Sequence, residues 1–253
     1  MAHIMRHTGT RLVSPIAAIL VLLSAAAVPH VRADDAQDAR QLVEKARLTL
    51  ESFQGDSQMG PGLREIVRKA KGVMVYPQVL RGAFLFGGAG GSGVFLVRAK
   101  EGDVWSAPAF YTIGQASFGL QAGADASEAV VVALTERGVT ALLSPSAKLG
   151  ANASIAVGPV GAGAEAATAN LSADLVSYTR NQGLYAGVSI AGAVVATRDD
   201  WNRAYYGKPV SPTEILVERS VSNPQAEKLI AVVTRLGAGH RLTKTSAPKP
   251  GDS

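Results

Sequence analysis

The spacing of apolar residues divides the chain into a helical beginning and a strand-rich middle. From Asp34 to Gln54 apolar residues recur every three or four positions with charges between them, which predicts an amphipathic helix. The same spacing from Leu63 to Lys71 predicts a shorter helix that Gly72 ends. From Val73 the apolar residues form short runs rich in β-branched and aromatic side chains, separated by glycines and turn residues, which predicts strands.

Further along, turn residues and a returning helical spacing complete the pattern. The predicted strands cover residues 73–80, 82–86, 93–98, 104–110, 117–125 and 129–134, followed by two hairpins that turn at Gly158–Pro159 and Asn181–Gly183. One or two helical turns are predicted at 135–144. Asp199 can cap a helix that Gly207 ends, and Asn223 with Pro224 starts a last helix running to about Leu236. We therefore predict one α+β domain with a mostly antiparallel, strongly coiled or barrel-like sheet and helices at both ends of the chain.

A glycine pattern in the middle of the chain resembles a nucleotide-binding motif. Gly88, Gly90 and Gly93 satisfy G-x-G-x-x-G directly after an apolar run. A dinucleotide site also needs a helix after the third glycine and an acid about 20 residues further on, and neither is predicted here. We therefore expect these glycines to serve strand geometry, where they permit bulges, bends and close backbone approach.

The first 33 residues have the pattern of a secretory signal. Arg6 and Arg11 precede a mostly apolar stretch, and Ala33 supplies a small residue before Asp34. An uncleaved anchor is the alternative, because the apolar run from Leu12 to Val28 is close to the shortest that spans a bilayer. Export to a periplasm or cell envelope, or secretion, is therefore expected.

Removing this segment changes the charge of the chain. The full chain has 25 basic and 20 acidic residues, and residues 1–33 hold three of the basic ones and no acid. The remainder then carries 22 basic and 20 acidic residues, a net charge of +2, which gives little support to nucleic-acid binding. Cysteine is absent and His240 alone would remain of four histidines, so cysteine chemistry, zinc sites and a serine–histidine triad are not expected. No cofactor or metal is predicted.

Seven motifs carry a resemblance to a known domain family. They are KAKGVMVY, GGSGVFLVR, WSAPAF, FGLQAGAD, LGANASIAVGPVG, GLYAGVSIAGAVV and NRAYYG, in that order, within residues 63–216. In order and spacing they resemble the SYLF domain of bacterial exported proteins, of SH3- or FYVE-containing eukaryotic proteins and of yeast actin-binding proteins. The resemblance implies a compact module that binds phospholipid, notably phosphoinositides, and in some fungal members actin filaments, without enzymatic activity. The expected organisation is a signal segment (1–33), an N-terminal helical segment (34–60), a SYLF-like domain (61–237) and a disordered tail (238–253).

A cluster of cations accompanies the predicted second helix. Between residues 61 and 81 five basic residues face a single acid, Glu65; they are Arg64, Arg68, Lys69, Lys71 and Arg81. An apolar helical stripe flanked by cations suits binding to an anionic membrane surface, and SYLF relatives bind lipid through this part of the domain. We predict these five residues as the lipid-binding site. The alternative is that the stripe packs on the domain itself and the charges are solvated.

Other residues support weaker alternatives. Asp125 with Glu128, and Asp199 with Asp200, could form acid pairs for catalysis, but helix capping is the expected role because neither pair has the spacing of a known site. A structural or partner-binding envelope protein, including an actin-binding one, is the alternative function. The basic tail could also act as an electrostatic tether.

Overall fold

The computed structural model describes residues 33–84, 86–101, 104–118, 123–158, 172–181 and 190–238. Several predictions therefore fall wholly or partly outside the described residues: the signal segment, the turns after Gly158 and Asn181, and the disordered tail.

Six α-helices and one 3₁₀ turn lie in the described part of the chain. They are α1 (Ala33–Gly55), α2 (Gly60–Lys69), α3 (Glu136–Leu143), α4 (Asp199–Tyr206), α5 (Pro212–Leu216), the 3₁₀ turn (Pro224–Ala226) and α6 (Glu227–Gly237). The sequence predicted all of these helices except α5, from helical spacing or from capping residues. This helix has a capping box, in which the Ser211 side chain accepts from the Glu214 amide while the Glu214 carboxylate accepts from the Ser211 amide at 2.8 Å.

Helix ends agree with the predictions at two places and differ at two others. Gly207 ends α4 in the left-handed conformation (φ 72°), and the Asn223 side chain accepts from the Gln225 amide at 3.1 Å, both as predicted. The prediction that Asp199 caps α4 was wrong, because Arg198 occupies the cap and Asp199 lies in the first turn. α2 ends at Lys69, so Lys71 is outside the helix.

Eight strands form one sheet, in the order β5-β8-β3-β2-β1-β4-β7-β6. The strands are β1 (Gly72–Phe84), β2 (Phe86–Val97), β3 (Ala109–Phe118), β4 (Gly123–Ala133), β5 (Ser146–Lys148), β6 (Ile155–Val157), β7 (Leu175–Asn181) and β8 (Val194–Thr197). Every neighbouring pair is antiparallel except β6 and β7, which are parallel. The sheet is strongly curled into a half-barrel, which confirms the predicted α+β class.

Both faces of the sheet are buried where β1 begins. Val73 and Val75 pack in a core with α1, α2, α4 and α6, whereas Met74 and Tyr76 point to the opposite face and pack in a second core with α3 and α5. Burial on both faces explains why this strand has a continuous apolar run instead of an alternating pattern.

The predicted strand 73–80 and residues 82–84 of the predicted strand 82–86 belong to a single strand, β1, whereas Phe86 begins β2. The register of β1 shifts between Val75 and Gln78 on the β2 side and between Tyr76 and Val79 on the β4 side. Pro77 lies within this irregularity. Because proline has no amide hydrogen for the ladder, a bulge allows the strand to continue past it.

The three motif glycines lie within β2, which begins at Phe86 and not at Gly93 as predicted, and their surroundings differ. A Cβ atom on Gly93 would lie 2.4 Å from the Tyr76 ring and 2.6 Å from the Val75 carbonyl oxygen. One on Gly88 would meet nothing closer than the Gln115 oxygen at 3.8 Å. Gly93 is therefore required for close approach of β1, whereas Gly88 is not.

Helices α1 and α6 pack side by side and run in the same direction. Near their starts the Gln225 side chain donates to the Arg40 carbonyl at 3.0 Å, and near their ends Arg235 pairs with Glu51 at 3.7 Å. The fully buried Leu50 and other apolar side chains of α1 belong to the same core as α2 and α6. The first and last described helices thus close the same face of the sheet.

Candidate functional site

The five predicted lipid-binding cations occupy three separate places. Arg64 and Arg68 are exposed on α2. Lys69 and Lys71 lie at the end of α2 and border a groove. Arg81 lies on β1 ten residues after Lys71, which corresponds to about 30 Å of strand at 3.3 Å per residue. A site formed by all five cations at once would therefore have to extend across the molecule.

Arg64 and Arg68 share a concave surface with Arg235 of α6, and we call these three residues the arginine cluster. Arg64 donates to the Gln54 carbonyl at 2.8 Å, and Arg68 pairs with Glu65 at 3.1 Å. The cluster borders a different concave surface from the one that Lys69 and Lys71 border, although Glu65 pairs with both Arg68 and Lys69.

The apolar stripe of α2 is part of the protein core. Leu63, Ile66 and Val67 are fully buried and Ala70 is 2% exposed. Since this stripe packs against α1, α6 and the sheet, only the cations of the predicted amphipathic region remain for contact with a membrane.

Lys69 and Lys71 border a groove of about 810 Å³ between α2, the end of β2, α3 and α5, which we call the basic groove. Five cationic residues and one acidic residue, Glu136, line it; the cations are Lys69, Lys71, Arg98, Lys100 and Arg219. Its apolar lining is formed by Val97, Val139, Leu143, Leu216 and Val217. Three of the five cations, Arg98, Lys100 and Arg219, were not predicted from the sequence.

Strand pairing brings these distant residues together. Gly72 at the start of β1 is opposite Val97 at the end of β2, and the Arg98 amide donates to the Lys71 carbonyl at 2.8 Å. The segment after α5 lies against the same place, where Arg219 donates to the Val97 carbonyl at 3.4 Å.

Arg98 has a structural role in the groove. Its guanidinium donates to the carbonyls of Val67 and Arg68 at 2.8 and 2.9 Å, at the C-terminal end of α2. A cation at this end is favourable because of the helix dipole. The guanidinium also lies 4.9 Å from the centroid of the Trp105 ring. Arg98 therefore fixes α2 to β2.

Within the described residues, the ion-pair partners of Lys69 and Lys71 are exposed acids. Lys69 pairs with Glu65 at 3.1 Å and Lys71 with Glu136 at 3.0 Å, with all four side chains at least 40% exposed. Exposed pairs contribute at most about 1 kcal/mol, so these ammonium groups can be redirected to an incoming anion at small cost. Lys100 is exposed beside them.

One exposed apolar side chain lines the groove, and a second exposed valine is adjacent to Arg219. Val217 lines the groove and is 53% exposed, and Val104 is 59% exposed on the adjacent hairpin, where its carbonyl accepts from Arg219. The groove thus combines cations with an apolar rim.

The acid pair Asp125 and Glu128 lies on β4, so the predicted helix-capping role was wrong for both residues. The Glu128 carboxylate accepts from the Thr49 hydroxyl at 3.1 Å and from the Nε of Arg180 at 3.0 Å. The Arg180 guanidinium also stacks 4.7 Å from the Phe53 ring centroid. This network joins α1 to the sheet, and its role is structural.

Asp174 is a buried acid with a structural role. Its carboxylate accepts from the Thr135 hydroxyl at 2.7 Å and from the amide and hydroxyl of Ser154 at 3.0 and 2.8 Å. These hydrogen bonds lower the pKa of Asp174, and the one from Thr135 has the largest effect. The nearby Arg137 also lowers this pKa. Thr135 in turn caps α3 by accepting from the Gly138 amide.

The described residues contain no group of three or more histidine, aspartate or glutamate side chains placed to hold a metal ion. Among the described helices, none has the length together with the apolarity needed to cross a membrane. Tyr76 is fully buried, and burial raises the pKa of its hydroxyl well above the ordinary value, so this group stays neutral.

Comparisons with known proteins connect this architecture with a family. A family profile described as "Las17-binding protein actin regulator" (Ysc84) matches residues 114–236. Protein YSC84 of Saccharomyces cerevisiae is 34% identical over 173 residues, which cover 66% of this chain and 36% of the relative. LAS seventeen-binding protein 3 of the same species is 32% identical over 181 residues (70% and 39%). Human SH3 domain-containing YSC84-like protein 1 is 32% identical over 170 residues (66% and 49%).

The described residues form a half-barrel sheet with helices on both faces and a cation-lined groove. The chain belongs to the Ysc84 family, which is the SYLF domain family, so the resemblance noted from the sequence is confirmed. It spans less than half the length of the three relatives described above.

Proposed function

We propose that this chain is a non-enzymatic module that binds the head groups of anionic phospholipids in the basic groove. The observation that carries the proposal is the composition of the groove, where five cations face one acid beside an exposed apolar rim. Phosphate groups are bound by lysine ammonium and arginine guanidinium groups, and acyl or glycerol carbons by apolar side chains.

The mode of binding differs from insertion of an amphipathic helix. Because the apolar stripe of α2 is buried, the helix contributes Lys69 and the adjoining Lys71 but no apolar face. Contact with the membrane then comes from the end of α2, the hairpin that carries Lys100 and the segment that carries Val217. Arg64, Arg68 and Arg81 stay a prediction from the sequence, and they serve here as comparison positions.

The test is vesicle flotation of two variants that lose equal charge. The groove variant changes Lys69, Lys71 and Lys100 to Gln. The matched control changes the arginine cluster, Arg64, Arg68 and Arg235, to Gln. Each cation near an anionic surface contributes roughly 1 kcal/mol, so the groove variant should lose about 3 kcal/mol, or about a hundredfold in partition coefficient. The control should bind nearly as well as the parent.

Vesicles of phosphatidylcholine with and without phosphatidylglycerol are compared at low and high salt. The parent should prefer the anionic vesicles and should lose affinity as salt rises, since exposed charges are screened within about 8 Å at physiological ionic strength. Loss of vesicle binding in the control alone would indicate that the arginine cluster is the binding site. Equal loss in both variants would indicate attraction by net charge without a defined groove. Both variants should keep the melting temperature of the parent, because solvated charges contribute little to stability.

A protein partner is the second candidate function. The family profile that matches residues 114–236 is described by Las17 binding and actin regulation, and one yeast relative is named for binding Las17. Co-sedimentation with actin filaments tests this candidate directly. Saturable co-sedimentation that survives in the groove variant would favour a separate protein-binding surface.

We also propose that the chain is exported. The support is the n-region, the apolar run and Ala33 in the sequence. Mass spectrometry of protein from a native-like host should find an N-terminus near Asp34. Recovery of the full-length chain from membranes alone would support an anchor instead.

A further inference from the structure

Arg219 has a backbone conformation that arginine rarely adopts. Its φ is 57°, and it is the one non-glycine residue with a positive φ in the described part of the chain. For a residue with a Cβ atom this left-handed conformation is strained, and glycine normally occupies it. Here it follows α5 and turns the chain so that the Ser220 amide donates to the Glu214 carbonyl at 3.0 Å. Glycine would make the same turn with less strain.

The contacts of the Arg219 side chain within the protein are weak. One terminal nitrogen, Nη2, donates to the Val104 carbonyl at 3.2 Å and to the Val97 carbonyl at 3.4 Å. Both distances are at or beyond the long end of the ordinary range for an N–H···O hydrogen bond. Within the described residues, no partner holds Nε or Nη1 of this guanidinium. A structural role therefore does not explain why a strained arginine stands here.

The position of the guanidinium suggests an external ligand. Arg219 lines the basic groove with Lys69, Lys71 and Lys100, and the exposed side chains of Val104 and Val217 lie next to it. A guanidinium forms two parallel hydrogen bonds with a phosphate group, which an ammonium group cannot do. We propose that Arg219 is the residue that contacts the phosphate of an anionic phospholipid in this groove, a proposal that rests on the function proposed above.

Three substitutions separate a ligand-binding role from a structural one. Arg219→Ala removes the guanidinium and keeps the Cβ atom, Arg219→Gly also relieves the backbone, and Arg219→Lys keeps the charge without the paired donors. In flotation with phosphatidylglycerol-containing vesicles, the Ala and Gly variants should bind at least tenfold more weakly than the parent, and the Lys variant should lie between. The Gly variant should melt about 2–4 °C above the Ala variant because the strain is relieved.

The outcomes are distinguishable. An Ala variant that melts several degrees below the parent and binds vesicles like the parent would overturn the proposal, because Arg219 would then support the loop alone. A parent that shows no preference for anionic vesicles would overturn the groove function and this proposal together. Inorganic phosphate is tested as a competing ligand. If it binds the parent saturably in isothermal titration and displaces the vesicles, the ligand is a soluble phosphate and the lipid assignment is wrong. Loss of vesicle binding in the Ala and Gly variants, with no displacement of the vesicles by phosphate, supports the proposal that Arg219 contacts a lipid phosphate.

Discussion

Gly93→Ala is the most informative single change in the glycine segment. The added Cβ atom would lie 2.4 Å from the Tyr76 ring and 2.6 Å from the Val75 carbonyl oxygen. Neither neighbour can move freely, because Tyr76 is fully buried and Val75 is within β1, paired with strands on both sides. Overpacking of this kind typically costs 1–3 kcal/mol, and a rigid site belongs at the upper end, so we expect about 3 kcal/mol.

The matched control is Gly88→Ala, in the same strand and the same motif. Its Cβ atom would meet nothing closer than 3.8 Å. Replacing glycine by alanine at an unstrained position stabilises by about 0.4–1 kcal/mol through the unfolded state, so this variant should be neutral or slightly more stable.

Thermal and urea unfolding followed by circular dichroism measure the difference. With about 2–4 °C per kcal/mol for a domain of this size, the Gly93 variant should melt about 6–12 °C below the parent, and the Gly88 variant at or slightly above it. Equal melting temperatures for the two variants would refute the argument that close approach to β1 selects glycine at position 93. Urea midpoints should shift in the same order at an unchanged slope.

Two further predictions concern the acids Asp174 and Glu128. The lowered pKa of Asp174 means that its ionised form stabilises the folded state above the ordinary carboxyl pKa and loses this effect as the pH falls through the lowered value. Asp174→Asn should therefore cost about 1–2 kcal/mol at neutral pH, and in urea unfolding this difference should narrow as the pH falls below the ordinary carboxyl pKa. A difference independent of pH would contradict the charge argument. Arg180→Met should destabilise by about 2–3 kcal/mol, at the low end for a buried pair because Glu128 is 31% exposed. The double variant with Glu128→Gln should cost less than the sum of the single changes, and strict additivity would show that the pair is not coupled.

Apolar spacing predicted the fold well because it depends on local burial. It found α1 because one side of that helix is buried throughout its length, and it placed the strands around Val73 and Val130 because each is apolar on both faces. It divided β1 in two because Arg81 interrupts the apolar run, whereas in the sheet the strand continues through Arg81, which pairs with Ala89 of β2 and Asp125 of β4.

The candidate site was predicted only in part, for a related reason. Local charge density identified Lys69 and Lys71, which are neighbours in sequence and in space. It also included Arg81, which lies far from Lys69 and Lys71 along the extended strand β1. Strand pairing brings Lys100 to the groove, and the turn after α5 brings Arg219 there. No pattern within a single segment of the sequence indicates that these residues are close in space.

The parallel packing of α1 and α6 determines how this module can be connected within a longer polypeptide. Because Arg235 near the end of α6 lies beside Glu51, a chain that continues past Gly237 departs roughly 27 Å from Ala33, the rise of about 18 helical residues. Entry and exit are thus on the same side of the sheet but near opposite ends of α1. Modules fused before and after such a domain would be held apart in a line, with the helical layer as a rigid spacer between them.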